Sequence, residues 1–212
     1  MKISGLILAA ASMAAVVVLS NVLVQYPVDA QLGGIALADI LTWGAFTYPL
    51  AFFVSDLTNR RFGPNVARLV VLVGFVAAVA VSFELSTPRI AMASGAAFLI
   101  GQLLDVTLFN RLRRLDWWRA PLAGSVVGSI LDTAVFFTLA FAPAAAFLGP
   151  NDAFAIESAP LLGVLAADAP RWASWALGDL SVKLLAALLL LAPYRAVMGW
   201  ILPWPEGQRR LA

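Results

Sequence analysis

The chain has 212 residues, of which 62% are hydrophobic and 12% charged, against about half and about a quarter in an ordinary soluble domain. That is membrane composition, because a soluble core of this size could not hide so much apolar surface. With no cysteine and no histidine there is no disulfide framework, no thiolate chemistry and no imidazole base, ligand or pH switch, and a net charge of +2 is too small to argue for nucleic acid.

A membrane helix needs about 20 mostly apolar residues. Six segments qualify, at roughly 3–24, 36–57, 65–83, 90–110, 121–142 and 173–200, which predicts an all-α integral membrane protein forming a single transmembrane domain over 1–212. In the first segment the apolar run goes from Ile3 to Leu19 and, past Ser20 and Asn21, to Val24. A signal peptide's apolar core is about 7–15 residues long, so this reads as a retained first span, with cleavage after Ala11 or Ala15 as the alternative. The second segment is interrupted by Pro49 in TYPLAFF, which frees the carbonyl near Ala45. Tyr48, Phe52 and Phe53 beside it suit stacking on a planar solute or packing around a kink. The fourth segment carries GQLLDVTLF (101–109), where Gln102 and Asp105 stand three residues apart on one helical face. In the fifth, Gly124 and Gly128 make a GxxxG step, a packing signal, with Ser125, Ser129 and Asp132 along an adjacent stripe. Residues 143–172 carry Pro143, Gly149, Pro150, Pro160 and Pro170 and read as a long loop. Its apolar middle, APLLGVLAA (159–167), is too short to span and suits an interfacial or re-entrant turn or a plain loop patch.

Basic residues orient the bundle. With the N-terminus inside, Lys2, Arg60, Arg61, Arg68, Arg111, Arg113, Arg114, Arg119, Arg195, Arg209 and Arg210 fall on the inner side, and only Arg89 and Arg171 on the outer. Asp29, Glu84, Asp152, Glu157 and Asp168 fall outside. Trp172 and Trp175 sit at an outer boundary, with Trp117, Trp118, Trp200 and Trp204 near inner ones. Both termini are therefore expected in the cytoplasm. Six helices also divide into two sets of three of opposite entry direction, the arrangement of inverted transporter repeats, although no sequence repeat links the halves.

A charge at the bilayer centre costs at least about 2.5–3.5 kcal/mol, yet Asp56, Asp105, Asp132, Asp179 and Lys183 all fall within expected spans. Asp105, six residues before Arg111, is about 9 Å deep at about 1.5 Å per residue. Asp132 and Lys183 lie near the middle, Asp56 near the inner surface and Asp179 on the outer half. Asp179 and Lys183, at i and i+4, can pair. Asp56 can pair at the boundary with Arg60 or Arg61. Asp105 and Asp132 have no basic neighbour one turn away, so a structural role would require hydrogen bonds from Ser125, Ser129 or Thr107. No His–acid metal spacing and no nucleotide-binding loop is present, so the residues favour solute transport over catalysis, with no cofactor.

The blocks SNVLVQYPV (20–28), TWGAFTYPLAFFVSDLTNRRFG (42–63), RIAMASGAAFLIGQLLDVTLFNRLRR (89–114), GSILDTAVFFTLAF (128–141) and GDLSVKLLAALLLLAPY (178–194) resemble the bacterial YhhQ family of queuosine-precursor transporters, within the vitamin uptake-like transporters. The resemblance implies a six-helix inner-membrane importer of 7-cyano-7-deazaguanine, and of its aminomethyl relative, feeding the queuosine modification of tRNA. Its partners would be the lipid bilayer and a small guanine-like substrate, with no nucleic acid and with homo-oligomerisation left open. Such a base is flat and neutral, with adjacent ring N–H and amine donors that one carboxylate can accept together. The expected site has Asp105 and Asp132 reading those donors, Gln102 serving the opposite edge and Phe52 and Tyr48 as the stacking wall. Asn21, Asp56, Asp179 and Lys183 would be flanking, gating or coupling groups. The rival class is the substrate-binding subunit of an energy-coupling-factor vitamin importer, for which AxxxA steps at Ala10/Ala14 and Ala11/Ala15 would dock a partner.

Overall fold

A computed structural model describes residues 3–201. Lys2, Trp204, Arg209 and Arg210 lie outside them, as does the side chain of Trp200. Helix α1 (Ile3–Leu23) is apolar on every side, as a span surrounded by lipid and other helices requires. The chain then turns through a short hairpin, β1 (Gln31–Leu32) against β2 (Ile35–Ala36), closed by Gly33 and Gly34 at positive φ. A 3₁₀ turn at Leu37–Asp39 and a bridge between Pro27 and Thr42 follow.

The helix expected over 36–57 therefore starts later and ends later. It begins at Trp43 as α2 (Trp43–Thr47), passes through Tyr48 and continues as α3 (Pro49–Phe62). Residues 36–42 are apolar enough to read as helix, but the hairpin, the 3₁₀ turn at Leu37–Asp39 and the Pro27–Thr42 bridge keep them out of an α-helix. At the other end the helix runs on through Arg60 and Arg61 to Gly63, whose φ of 89° turns the chain directly into Pro64, the first residue of α4 (Pro64–Leu85).

Helix α5 (Pro88–Leu112) starts with proline and is capped by Thr87, whose hydroxyl accepts from Ile90 N. Helix α6 (Arg119–Phe141) stops just before Pro143. The loop that follows has its own structure. It holds a 3₁₀ turn at Pro143–Leu148, α7 (Ala153–Ile156) capped by Asp152, and a hairpin of β3 (Ser158–Pro160) with β4 (Asp168–Pro170). The expected loop segment APLLGVLAA supplies one strand and the tip of that hairpin. The last segment is two helices, α8 (Arg171–Leu189) and α9 (Leu191–Ile201), joined at Leu190. Pro193 explains the break, since it cannot donate to the carbonyl one turn back.

Among the described residues, five helical segments are long and apolar enough to cross a membrane: Ile3–Leu23, Pro64–Leu85, Pro88–Leu112, Arg119–Phe141 and Arg171–Gly199. The protein is a mostly helical, multi-pass membrane chain. Met13, Val17, Ala51, Val70, Val71, Phe98 and Val106 join α1, α3, α4 and α5 in one core. Phe137 and Phe141 of α6 pack with Trp172 and Trp175 of α8 at one end, and Phe109, Tyr194 and Met198 pack at the other. Outward-facing Leu8, Leu72, Val76, Ile130, Leu185 and Leu188 are exposed. In water such a surface would be a liability; against lipid it is matched.

Helices α5 and α6 meet through glycines. A Cβ at Gly101 would lie 3.1 Å from Asp132 Cβ, one at Gly128 2.7 Å from Phe52 Cε1, and one at Gly124 would collide with Asp105 Oδ1. The GxxxG step is thus a packing device, and what it admits is the polar side chains and the Phe52 ring.

Candidate functional site

A cavity of about 480 Å³ opens at one end of the bundle, among the C-terminal ends of α1, α4 and α6, the 38–44 segment and the first turns of α5 and α8. That volume lies within the usual range of small-molecule sites, about 300–1,000 Å³. Its wall is aromatic: Phe136, Phe137 and Phe141 from α6, Phe154 from α7 and Trp175 from α8. Phe141 and Trp175 meet edge to face with centroids 5.7 Å apart. The Trp175 indole N–H donates to the Asp39 carbonyl at 2.7 Å, tying α8 to the segment before α2. At the rim Arg171 lies 4.4 Å over the Phe154 ring and pairs with Glu157 at 3.1 Å.

The floor is ionic. Lys183 Nζ donates to Asp132 Oδ2 at 2.6 Å and to Asp179 Oδ2 at 2.5 Å, and approaches Thr133 Oγ1 at 3.3 Å. Thr133 donates to Asp179 Oδ2 at 2.8 Å and Tyr48 donates its hydroxyl to Asp132 Oδ1 at 2.9 Å. The expected Asp179–Lys183 pair exists, but Lys183 also reaches across to α6, a contact that sequence spacing alone did not reveal. Two carboxylates share one ammonium, which leaves one formal negative charge at the base of the cavity when all three are ionised. The Asp179 side chain is the more open, 18% exposed against 4% for Asp132. Buried ion pairs hold only when their remaining hydrogen bonds are satisfied, and here Tyr48 and Thr133 do that.

Asn21 also lines the cavity, donating to Val17 O at 2.9 Å and accepting from Ser82 Oγ at 2.6 Å. It links α1 to α4. Of the residues expected to hold or gate a solute, Tyr48, Asn21, Asp132, Asp179 and Lys183 thus converge on one space. Phe52, Gln102, Asp105 and Asp56 do not line it. All four are buried deeper in the bundle. Phe52 meets Tyr48 edge to face at 73°, filling the notch at Gly128, so the two rings form a wedge rather than a wall.

The deeper residues have different partners from those expected. Asp105 Oδ2 accepts from Ser55 at 2.8 Å, not from Ser125, Ser129 or Thr107, and Thr107 bonds back to Leu103 O. Asp56 makes no ion pair with Arg60 or Arg61 among the described residues. Arg60 instead bonds Tyr194 Oη at 3.1 Å and Arg113 O at 2.7 Å and lies 5.3 Å over Phe109. Arg113 returns a bond to Arg60 O at 3.4 Å. These contacts close the bundle end opposite the cavity.

Sequence reasoning missed the aromatic wall. Its signal was present as an i, i+4 ladder: Thr133, Phe137 and Phe141 lie on one stripe of α6, with Asp132 and Phe136 beside it.

Comparison with known proteins follows the same outline. A family model described as "Putative vitamin uptake transporter" matches residues 42–86 and 80–197. A Haemophilus influenzae protein named "Probable queuosine precursor transporter" is 35% identical, covering 88% of this chain and 83% of its own. The Escherichia coli "Queuosine precursor transporter" is 33% identical, covering 86% and 81%. A Bacillus subtilis protein named "Probable queuosine precursor transporter" is 27% identical over 47% of this chain. No solved structure matches the chain significantly. The matches run through the helices that build the cavity, and on them the chain belongs to this vitamin uptake transporter family, a family of membrane transporters and not of enzymes.

Proposed function

We propose that the chain imports a queuosine precursor, 7-cyano-7-deazaguanine and also 7-aminomethyl-7-deazaguanine, across the bacterial inner membrane for tRNA modification. The observation that carries this reading is the cavity itself: an aromatic wall above a carboxylate floor, in a chain whose relatives are named queuosine precursor transporters. Flat bases stack on aromatic faces. Their adjacent N–H donors suit a carboxylate, and Asp132 and Asp179 present two. Tyr48 and Asn21 supply flanking polar contacts, and Lys183 offsets one of the two carboxylate charges of the floor while the cavity is open. Gln102, Asp105 and Phe52 stand behind the floor, so they have no part in this outer site.

In the proposed topology α2 and α3 together make the sixth crossing and both termini are cytoplasmic. Arg60, Arg61, Arg111, Arg113, Arg114 and Arg195 then gather at the closed inner end, as basic residues do. The cavity faces out, and the bundle is closed beneath it. An inverted three-plus-three arrangement fits this count.

Complementation tests the reading. Cells that cannot make the deazaguanine, expressing this chain, should regain queuosine in tRNA at limiting external precursor. Absence of rescue despite membrane expression would reject it. Rescue in a host lacking coupling ATPases separates this importer from the binding subunit of an energy-coupling-factor complex.

A further inference from the structure

One turn below the floor, at the junction of α3, α5 and α6, lies a second polar cluster that the solute site does not use. We propose that Asp56 and Asp105, with the side-chain amides of Asn59 and Gln102, bind a monovalent cation, a proton or a sodium ion, whose movement drives the solute. The inference rests on the transport reading.

All four side chains are buried: Asn59, Gln102 and Asp105 are 0% exposed and Asp56 is 2%. Ser55 bonds Asp105, and Asn59 Nδ2 donates to Val106 O at 3.0 Å, so two rungs hold α3 to α5 around them. Gln102 stands one turn above Asp105 on the same face of α5. Gly124 of α6 leaves room for Asp105 Oδ1.

Four buried oxygens of the cluster lack a donor. Among the described residues, Asp56 Oδ1, Asn59 Oδ1, Gln102 Oε1 and Asp105 Oδ1 are buried acceptors without a partner, and the N–H groups of the buried Gln102 Nε2 and Arg60 Nη2 reach none of them. Exchanging the oxygen and nitrogen of Gln102 leaves this count unchanged, because both atoms lack partners. Exchanging those of Asn59 would set its oxygen against the Val106 carbonyl. The four oxygens therefore stand without any N–H that reaches them, and a buried unmatched polar atom typically costs about 1–3 kcal/mol. A cation matches these oxygens in either form. A sodium ion takes the oxygens directly, as hard cations do in broken-helix transporters. A proton on Asp105 can be donated to Gln102 Oε1, and one on Asp56 to Asn59 Oδ1, each partner lying one turn away on the same helix.

The charged groups around the cluster are few. On α3, Arg60 is one turn from Asp56, but its guanidinium is held by Tyr194 of α9, the Arg113 carbonyl and the Phe109 ring. Above, across Gly101, lie Asp132 of α6 with Lys183 and Asp179 of α8. From α6, Gly124 presents only backbone. No ion pair joins Asp56 or Asp105 to a base among the described residues. Helix α3 also connects the two sites: Tyr48 at its head holds the floor, and Ser55, Asp56 and Asn59 lie below. A cation that neutralises the lower cluster therefore acts on the helix that holds the solute.

The test uses the purified full-length protein. In liposomes, 7-cyano-7-deazaguanine uptake is measured with an inward sodium gradient at equal pH, with an inward proton gradient in sodium-free buffer, and with neither. One of the two gradients, set at about tenfold, should raise accumulation about tenfold at one cation per solute. Asp56→Asn and Asp105→Asn should each lose that rise, while Ser181→Ala, on an exposed face of α8, should keep it. If neither gradient drives accumulation while labelled solute still exchanges, the cation site is wrong and the transport reading stands. A second readout needs no solute. The melting temperature of detergent-solubilised protein is followed in sodium against choline chloride, and across pH. A cation-dependent shift in the wild type that Asp56→Asn/Asp105→Asn lacks is expected, because a ligand that binds the native state stabilises it. An equal response in both overturns the site, whatever the solute does. Should the double variant fail to fold, Gln102→Ala replaces it, and an unchanged cation response there overturns the site.

Discussion

Lys183 is the residue on which the cavity floor depends. Removing one partner of a buried ion pair typically costs about 3–5 kcal/mol, because the remaining charge stays buried and unmatched. Lys183→Met leaves two such carboxylates, Asp132 and Asp179. Thermal unfolding in detergent should show it destabilised by about that amount. Lys183→Met/Asp132→Asn/Asp179→Asn should recover most of the loss, since the neutral triad has no stranded charge. A triple variant as unstable as Lys183→Met would mean that packing, not charge, is what Lys183 supplies. Sequence spacing revealed the Asp179 half of this network, because i, i+4 partners are local. The Asp132 half depends on how α6 meets α8, which no local rule contains. The same limit explains why Gln102 and Asp105 read from sequence as a recognition edge: helical spacing put them on one face, but not which face the cavity uses.

At the scale of elements, the glycines of α5 and α6 set how close the polar layers lie. A methyl at Gly124 meets Asp105 Oδ1, and one at Gly128 meets the Phe52 ring. Overpacking of this kind typically costs about 1–3 kcal/mol. Gly124→Ala and Gly128→Ala should each lower the unfolding temperature and the yield of folded protein. Gly199→Ala, whose added methyl meets nothing within 4 Å among the described residues, should not. Equal behaviour of the three variants would show that the close approach has no energetic weight. Spans α1, α4, α5 and α6 were legible within a few residues, because uninterrupted hydropathy marks them and Thr87, Pro88 and Pro143 punctuate their ends. The second expected helix was misplaced because ALADIL is apolar enough to pass for α-helix while the Gly33–Gly34 hairpin and the 3₁₀ turn at Leu37–Asp39 take up its residues. The split of the last segment had a sequence cue in Pro193.

Across the whole molecule, one end is open and aromatic and the other is closed by arginines, and this asymmetry was already visible in the distribution of basic residues. The chain has no cysteine, so single introduced thiols report access without background. Ser94→Cys, in the cavity wall, should react with a membrane-impermeant maleimide in intact cells and be protected by the deazaguanine. Asn110→Cys, at the arginine-lined end, should react only after the membrane is opened. The reverse pattern would invert the proposed orientation. The measurement that bears most directly on the central claim is counterflow into liposomes that contain this chain and no other protein, preloaded with unlabelled 7-cyano-7-deazaguanine. Labelled solute should enter against its own gradient and be recovered chemically unchanged, with no nucleotide present. No entry, entry only when coupling ATPases are added, or recovery of an altered molecule would contradict the account.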